Sequence, residues 1–190
     1  MMRNRDGMTE IALPPEKIHC GQITLRRTHI ADADGLATAV AESLEHLRPF
    51  IPWATDLAGQ VDAQRERLTE RSQAWERGET FDYLVLPAGR EEPLLGAVAL
   101  HRRVGPGGLE IGYWTHVAHT RRGYVTTATK ALTDAALALP DIARVEIHID
   151  VANTASSAVP RKLGYRLDRE EPFESTSPAG TGTHQIWVYP

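Results

Sequence analysis

A chain of 190 residues with 21 Lys and Arg against 25 Asp and Glu carries a formal charge of −4. That is length for one domain with its own core and the wrong sign for a broad nucleic-acid-binding face. The single cysteine, Cys20, excludes an internal disulfide framework and is weak support for a cytoplasmic home. No apolar run approaches the ~20 residues of a bilayer span, and MMRNRDGMTE lacks the apolar stretch of a secretory signal.

Residues 1–20 read as a polar, disordered lead-in, with Met8 available as an alternative start, and residues 21–190 as a single domain. Ile23 to Arg27 alternates and is β-branched, the pattern of a first strand. In THIADADGLATAVAESLEH, Ile30, Leu36, Val40 and Leu44 form a helical stripe, with Thr28 or Asp32 as cap. Pro49 to Trp53 (PFIPW) is a Pro-punctuated loop whose large side chains suit a core plug and a pocket wall equally. Residues 60–78 are a charged surface helix with Gly78 at its C-terminal cap. FDYLVLP and LLGAVALHRR are strands joined by the charged turn AGREE. Turn residues Gly105 to Gly108 then lead into the strand LEIGYW.

Beyond HTRRGY, the residues Val125, Ala128, Leu132, Ala135 and Leu139 repeat at spacings of three and four, one buried helix face that Pro140 ends. RVEIHID is a strand with Val145, Ile147 and Ile149 on one face and Glu146, His148 and Asp150 on the other. A short helix in ANTASSAVPRKLGY is closed by Gly164. Because proline belongs in a first turn, Pro160 places its start near Ser156 or Ser157. Strands near Tyr165–Asp168 and Gln185–Tyr189 finish the chain. Strand, helix, strand over residues 109–150 implies a right-handed parallel crossover and so an α+β fold with a mixed sheet.

The segment Arg121 to Thr126 (RRGYVT) sits between a strand and a helix that opens near Val125. A helix N-terminus offers unpaired N–H groups and a positive dipole end. Gly123 lets the backbone approach an anion, and Arg121 and Arg122 add phosphate donors. These residues fit a pyrophosphate cradle. A corner turn with solvated arginines fits them equally. No Gly-Lys-Ser/Thr follows, and no GxGxxG appears after a strand.

Three segments in order, LEIGYW (109–114), RRGYVTTA (121–128) and RVEIHIDVANTASSAVPRKLGY (144–165), resemble the RimJ/RimL-like branch of the GNAT acyltransferases, and SLEHLRPFIPW resembles the same branch. The resemblance runs from Ile23 to Tyr189. It implies a GNAT fold, a twisted mixed sheet of about seven strands flanked by about four helices. It also implies transfer of an acetyl group from acetyl-CoA to a primary amine, and a cytoplasmic homodimer. By resemblance, the amides of Arg121, Arg122, Gly123, Tyr124, Val125 and Thr126 hold the CoA pyrophosphate. Trp114, Thr115, His116 and Val117 pair with the pantetheine arm, Asn153 and Lys162 contact CoA, and Ser156 protonates the leaving thiolate. Thr120 and Val125 depart from the family pattern, and Val125 is placed to crowd the cofactor.

An alkyl ammonium must lose a proton before it attacks a thioester, so a base helps. Glu110, on one strand face with Gly112 and Trp114, is the leading candidate. A structural Glu paired with an arginine is the rival reading. Ser156 as acid competes with Ser156 as helix cap, and Tyr165 is a lower-ranked acid. Glu146 and His148 read as structural before catalytic. His116 and His119 lack a third ligand, so no metal is expected. Three function classes stay open: acetylation of a protein N-terminal α-amine, acylation of a small molecule such as an antibiotic or polyamine (including with succinyl-CoA), and acyl-CoA sensing without turnover. No membrane or nucleic-acid partner is expected.

Overall fold

A computed structural model describes residues 11–190. Within them one eight-stranded sheet runs in the order β1-β2-β3-β4-β5-β6-β8-β7. The strands are β1 (Lys17–Cys20), β2 (Ile23–Arg27), β3 (Thr80–Pro87), β4 (Gly96–His101), β5 (Gly108–Thr115), β6 (Arg144–Asp150), β7 (Arg166–Pro172) and β8 (Thr183–Tyr189). Only β5 and β6 are parallel, as the intervening helix requires. Every other pair is antiparallel.

The eighth strand is β1, inside the segment expected to be a disordered lead-in. Gly21, at φ 66°, turns the chain so that Ile18 and Cys20 pair with Leu25 and Ile23. Residues 1–10, including Met8, lie outside the described residues.

Four helices cover the sheet: α1 (Ala33–Leu47), α2 (Val61–Glu76), α3 (Tyr124–Leu137) and α4 (Thr154–Leu163). Leu36, Val40 and Leu47 of α1 and Leu68 of α2 join Leu84, Leu86 and Trp114 in a core on one face. Ala128, Leu132 and Ala136 of α3 join Leu109, Ile111, Val145 and Ile147 on the other. The α3 face therefore differs by one position from the expected stripe: Ala136 is buried where Ala135 is half-buried. Covered on both sides, β3 is buried from Thr80 to Leu86. The weakly amphipathic α2 is anchored by Leu68 and Trp75, with Trp75 edge-on to Phe81 and Tyr83 at 5.1 and 5.2 Å.

Candidate active site

The parallel ladder is short. Gly108, Leu109 and Glu110 face Arg144, Val145 and Glu146, and there the pairing stops. Each strand continues with its other neighbour: β5 follows β4 to Thr115, and β6 follows β8 to Asp150. A split therefore opens at the carboxyl ends of two parallel strands, the location at which α/β sheets receive ligands. The His116 amide donates to Leu95 O at 3.0 Å. By the alternation of an antiparallel ladder, Trp114 also faces β4, and Tyr113 and Thr115 turn their backbone groups to the split. The Val117 amide donates to Ser43 Oγ at 3.2 Å. Of the four residues Trp114–Val117 expected to offer an edge, Thr115 alone presents a backbone free to pair there, joined by Tyr113.

The turn before α3 stands beside this split. Arg121 and Gly123 both have left-handed backbones, φ 59° and 80°. A Cβ at Gly123 would meet nothing within 4 Å, so glycine answers a backbone need and leaves open space. The first bond of α3 runs from the Thr127 amide to Gly123 O. No side chain caps the helix, which leaves the preceding amides facing outward. Arg121 and Arg122 are exposed. Thr120 Oγ1 donates back to Val117 O at 3.3 Å. Val125, placed by sequence to crowd the cofactor, packs its side chain against the α3-side core.

Across the split, α4 starts at Thr154, two residues earlier than its proline suggests. Asn153 is the cap, its Oδ1 accepting from the Ser156 amide at 3.2 Å. Pro160 lies in the helix interior and leaves the Ser156 carbonyl without its usual donor. Tyr113 Oη, reaching from β5, donates to that carbonyl at 2.9 Å. Ser156 is thus neither cap nor helix start, and its hydroxyl makes no hydrogen bond among the described residues. Lys162 is exposed on the last turn. Tyr165 is 5% exposed in the α3-side core, its hydroxyl bonded to Thr133 Oγ1 at 2.5 Å. It lies away from the cavity, because the αL turn at Gly164 carries the chain to the buried face.

On the α1/α2 face a cavity of about 710 Å³ reaches the split, where Tyr113, Asn153 and Ser156 line it. Phe50 to Trp53 form one wall, and Ile51 also packs against the α1/α2-side core, so PFIPW is both cavity wall and core plug. Trp53 packs edge-on to Trp114 at 6.3 Å, and the Arg67 guanidinium lies 5.6 Å from its ring. His101 and Glu110 lie on the cavity floor, and register sets a polar row side by side there: Thr80 beside His101, His101 beside Glu110, and Glu110 beside Glu146. A second hollow, about 840 Å³ between β1 and α3, meets the expected site residues only at Thr126.

Glu110 is 6% exposed, and Arg103 grips both its oxygens at 2.6 Å. Burial works to raise its pKa. The Arg103 fork outweighs that, helped by His148 and His101, and holds the carboxyl below the ordinary carboxylate value. Glu146 is also held low: burial opposes, and bonds from His148 at 2.8 Å and Arg144 at 2.8 Å prevail. His101 is pushed down to about 4, by burial first and then by Arg103. Its Nδ1 lies 3.0 Å from Thr80 Oγ1. Asp82 faces two arginines, Arg67 at 3.5 Å and Arg71 at 3.9 Å. Among the described residues no His, Cys, Asp and Glu group is placed to hold a metal. His116 instead pairs with Glu42 at 3.0 Å.

Asp82, His101, Arg103, Arg67, Arg71 and His184 also line the cavity, and no local sequence motif marks them. The available signal is parity: His101 ends β4 and Arg103 follows it two residues on, on the face that register assigns to Glu110.

The family model for the acetyltransferase (GNAT) domain matches residues 22–166. The probable N-acetyltransferase YjcK of Bacillus subtilis (strain 168) is 27% identical over 149 residues, spanning 77% of this chain and 81% of that protein. RimJ of Mycobacterium smegmatis, solved with a CoA-disulfide, superposes with a TM-score of 0.83 at 18% identity over 94% of this chain and 90% of that one. The microcin C7 self-immunity acetyltransferase MccE, solved with acetyl-CoA and AMP, gives 0.83 at 17% identity over 93% and 97%. At these identities the two solved structures share the fold.

Proposed function

The chain belongs to the GNAT acetyltransferase family, and from that premise we propose that it moves the acetyl group of acetyl-CoA to the N-terminal α-amine of a protein. The observation that carries this reading is the split between β5 and β6, with a backbone edge on one lip and an uncapped, glycine-started helix beside it. When bound, acetyl-CoA supplies an activated carbonyl and a thiolate leaving group. In this reading the amides from Arg121 to Thr126 hold its diphosphate, with the side chains of Arg121 and Arg122 nearby. Tyr113 and Thr115 offer the pantetheine arm a strand edge. Asn153 and Lys162 flank it, and the unengaged Ser156 hydroxyl serves the leaving sulfur.

The cavity beside the split receives the acceptor. Arg67 and Arg71 share the single carboxylate of Asp82, and burial together with Arg71 lowers the pKa of Arg67. At this end of the cavity two guanidinium groups stand on one carboxylate, which favours an acceptor with a carboxylate close to its amine, such as an acidic peptide N-terminus, over a polyamine. Arg103 is already occupied by Glu110, which favours an acetyl over a succinyl donor. On the resemblance alone, the reading extends to a homodimer in the cytoplasm; light scattering tests the first. No helix among the described residues is long and apolar enough to cross a membrane.

Calorimetry with acetyl-CoA and succinyl-CoA, then mass spectrometry of peptides with free N-termini, tests the reading. Acetyl-CoA binding and an acetylated α-amine are expected. Folded protein that binds neither thioester would overturn it. Binding without turnover of any amine would leave a sensor.

A further inference from the structure

Ten titratable side chains line the cavity: Arg67, Arg71, Asp82, His101, Arg103, Glu110, Tyr113, His148, Asp150 and His184. The arginines stay charged. Glu110 has both oxygens in the Arg103 fork, and Asp82 faces two guanidinium groups. Asp150 accepts from the amides of Ala152 and Thr181 and from the Thr181 hydroxyl. Tyr113 is tied to the Ser156 carbonyl. His101 is bonded to Thr80, and His184 lies stacked on Phe173 with ring centroids 3.8 Å apart.

His148 differs from all of these. It sits on β6 two residues past Glu146, where the parallel ladder ends, and its side chain keeps 19% of its surface exposed. Its Nε2 lies 2.8 Å from Glu146 Oε2, while the other carboxylate oxygen of Glu146 takes a bond from Arg144. An ionised carboxylate at that distance requires the proton on Nε2, which leaves the lone pair on Nδ1. Nδ1 is 3.9 Å from Glu110 Oε2, beyond hydrogen-bonding distance from an oxygen already engaged by Arg103. A base whose second nitrogen is fixed by a carboxylate, in a cavity that reaches the thioester split, is the arrangement that general-base catalysis needs.

We infer that His148, oriented by Glu146, is the group that takes the proton from the acceptor ammonium. The inference rests on the acetyl-transfer reading above. The ammonium gives one N–H proton to Nδ1. The freed lone pair forms the C–N bond as the C–S bond breaks with its electron pair on sulfur. The second amine proton reaches the thiolate by way of Ser156, and His148 returns its own to water. Glu146 and Glu110 lie against the ring, and Arg103, His101 and His184 line the same cavity. Asp150 adds a more distant negative charge. Glu146 is a positioning residue: it acts through the ring.

Two measurements on the full chain test this. In the unliganded protein, ¹⁵N NMR of the histidine rings should show His148 as the Nε2–H tautomer, protonating at Nδ1 on acidification. In Glu146→Gln it should become a mixture of tautomers. An Nδ1–H tautomer, or a ring that never protonates between about pH 5 and 9, would overturn the inference with no acceptor needed. In steady-state assays with acetyl-CoA and a short acidic peptide, His148→Gln should lower kcat at pH 7 about 100-fold and recover at high pH, where the amine is already neutral. Glu146→Gln should move the acid limb to lower pH, because the ring loses its carboxylate. His148→Asn repeats the test if the Gln variant melts early. Wild-type rates and pH profiles in folded His148 variants would remove His148 from the role while leaving acetyl transfer standing. Failure of the unmodified protein to bind acetyl-CoA would instead strike the parent reading.

Discussion

The two sides of the split are made of different material. The proposed donor side is almost all backbone: two left-handed residues, an uncapped helix start and a strand edge. The acceptor side is almost all side chain: Glu110 in the fork of Arg103, Glu146 between Arg144 and His148, Asp82 between two arginines. Backbone donors survive substitution as long as φ and ψ survive. A buried ion pair does not, because losing one partner leaves the other desolvated. The donor side should therefore tolerate changes of side chain and fail on changes of backbone, and the acceptor side should do the reverse.

The largest effect expected is on the donor side. Gly123→Glu places a Cβ at φ 80° and an anion where phosphate would sit, and should weaken acetyl-CoA more than about 100-fold by calorimetry. Normal binding would move the diphosphate elsewhere. On the acceptor side, Glu110→Gln should cost about 1–3 kcal/mol in a denaturant melt and leave acetyl-CoA affinity unchanged. Its pH–rate profile should keep the acid limb; loss of that limb would transfer the base role from His148 to Glu110.

A smaller effect separates the sides by pH. His101, pushed to about 4 by burial and Arg103, binds fewer protons folded than unfolded between there and its ordinary value of about 6.5. Stability should therefore fall as pH drops through that window, by on the order of 2 kcal/mol. His101→Asn should flatten that part of the curve, read as Tm against pH. An unchanged slope would place the acid sensitivity in other groups. The smallest effect is the control: Thr120→Ala removes only a bond to Val117 O and should change acetyl-CoA affinity less than about twofold. A large loss would mean that the cradle depends on side chains after all.

The same contrast governs what could be read from sequence. The donor turn lies within six consecutive residues, so glycine, arginines and a following helical stripe announce it together. The seven later strands were legible from alternation, and β1 was not, because four residues of KIHC carry too little pattern and owe their order to pairing with β2. The polar row under the acceptor cavity joins Thr80, His101, Glu110 and Glu146 from four strands. No local signal links them, and only register brings them abreast. The α4 start was misplaced for a related reason: Pro160 is tolerated mid-helix because a tyrosine from β5 answers the carbonyl it leaves open.

That tyrosine also sets a dimension. The Tyr113 hydroxyl spans from one lip of the split to the other and ends on the carbonyl of the residue whose own hydroxyl stands free. The gap between β5 and α4 is thus gauged by the length of one phenol ring. Phenylalanine at 113 would remove the stop, let the lips drift and leave the Ser156 carbonyl with neither the tyrosine nor the amide that Pro160 lacks. The width of the slot thus ties together two residues 47 positions apart, and Tyr113 can be changed safely only together with Pro160.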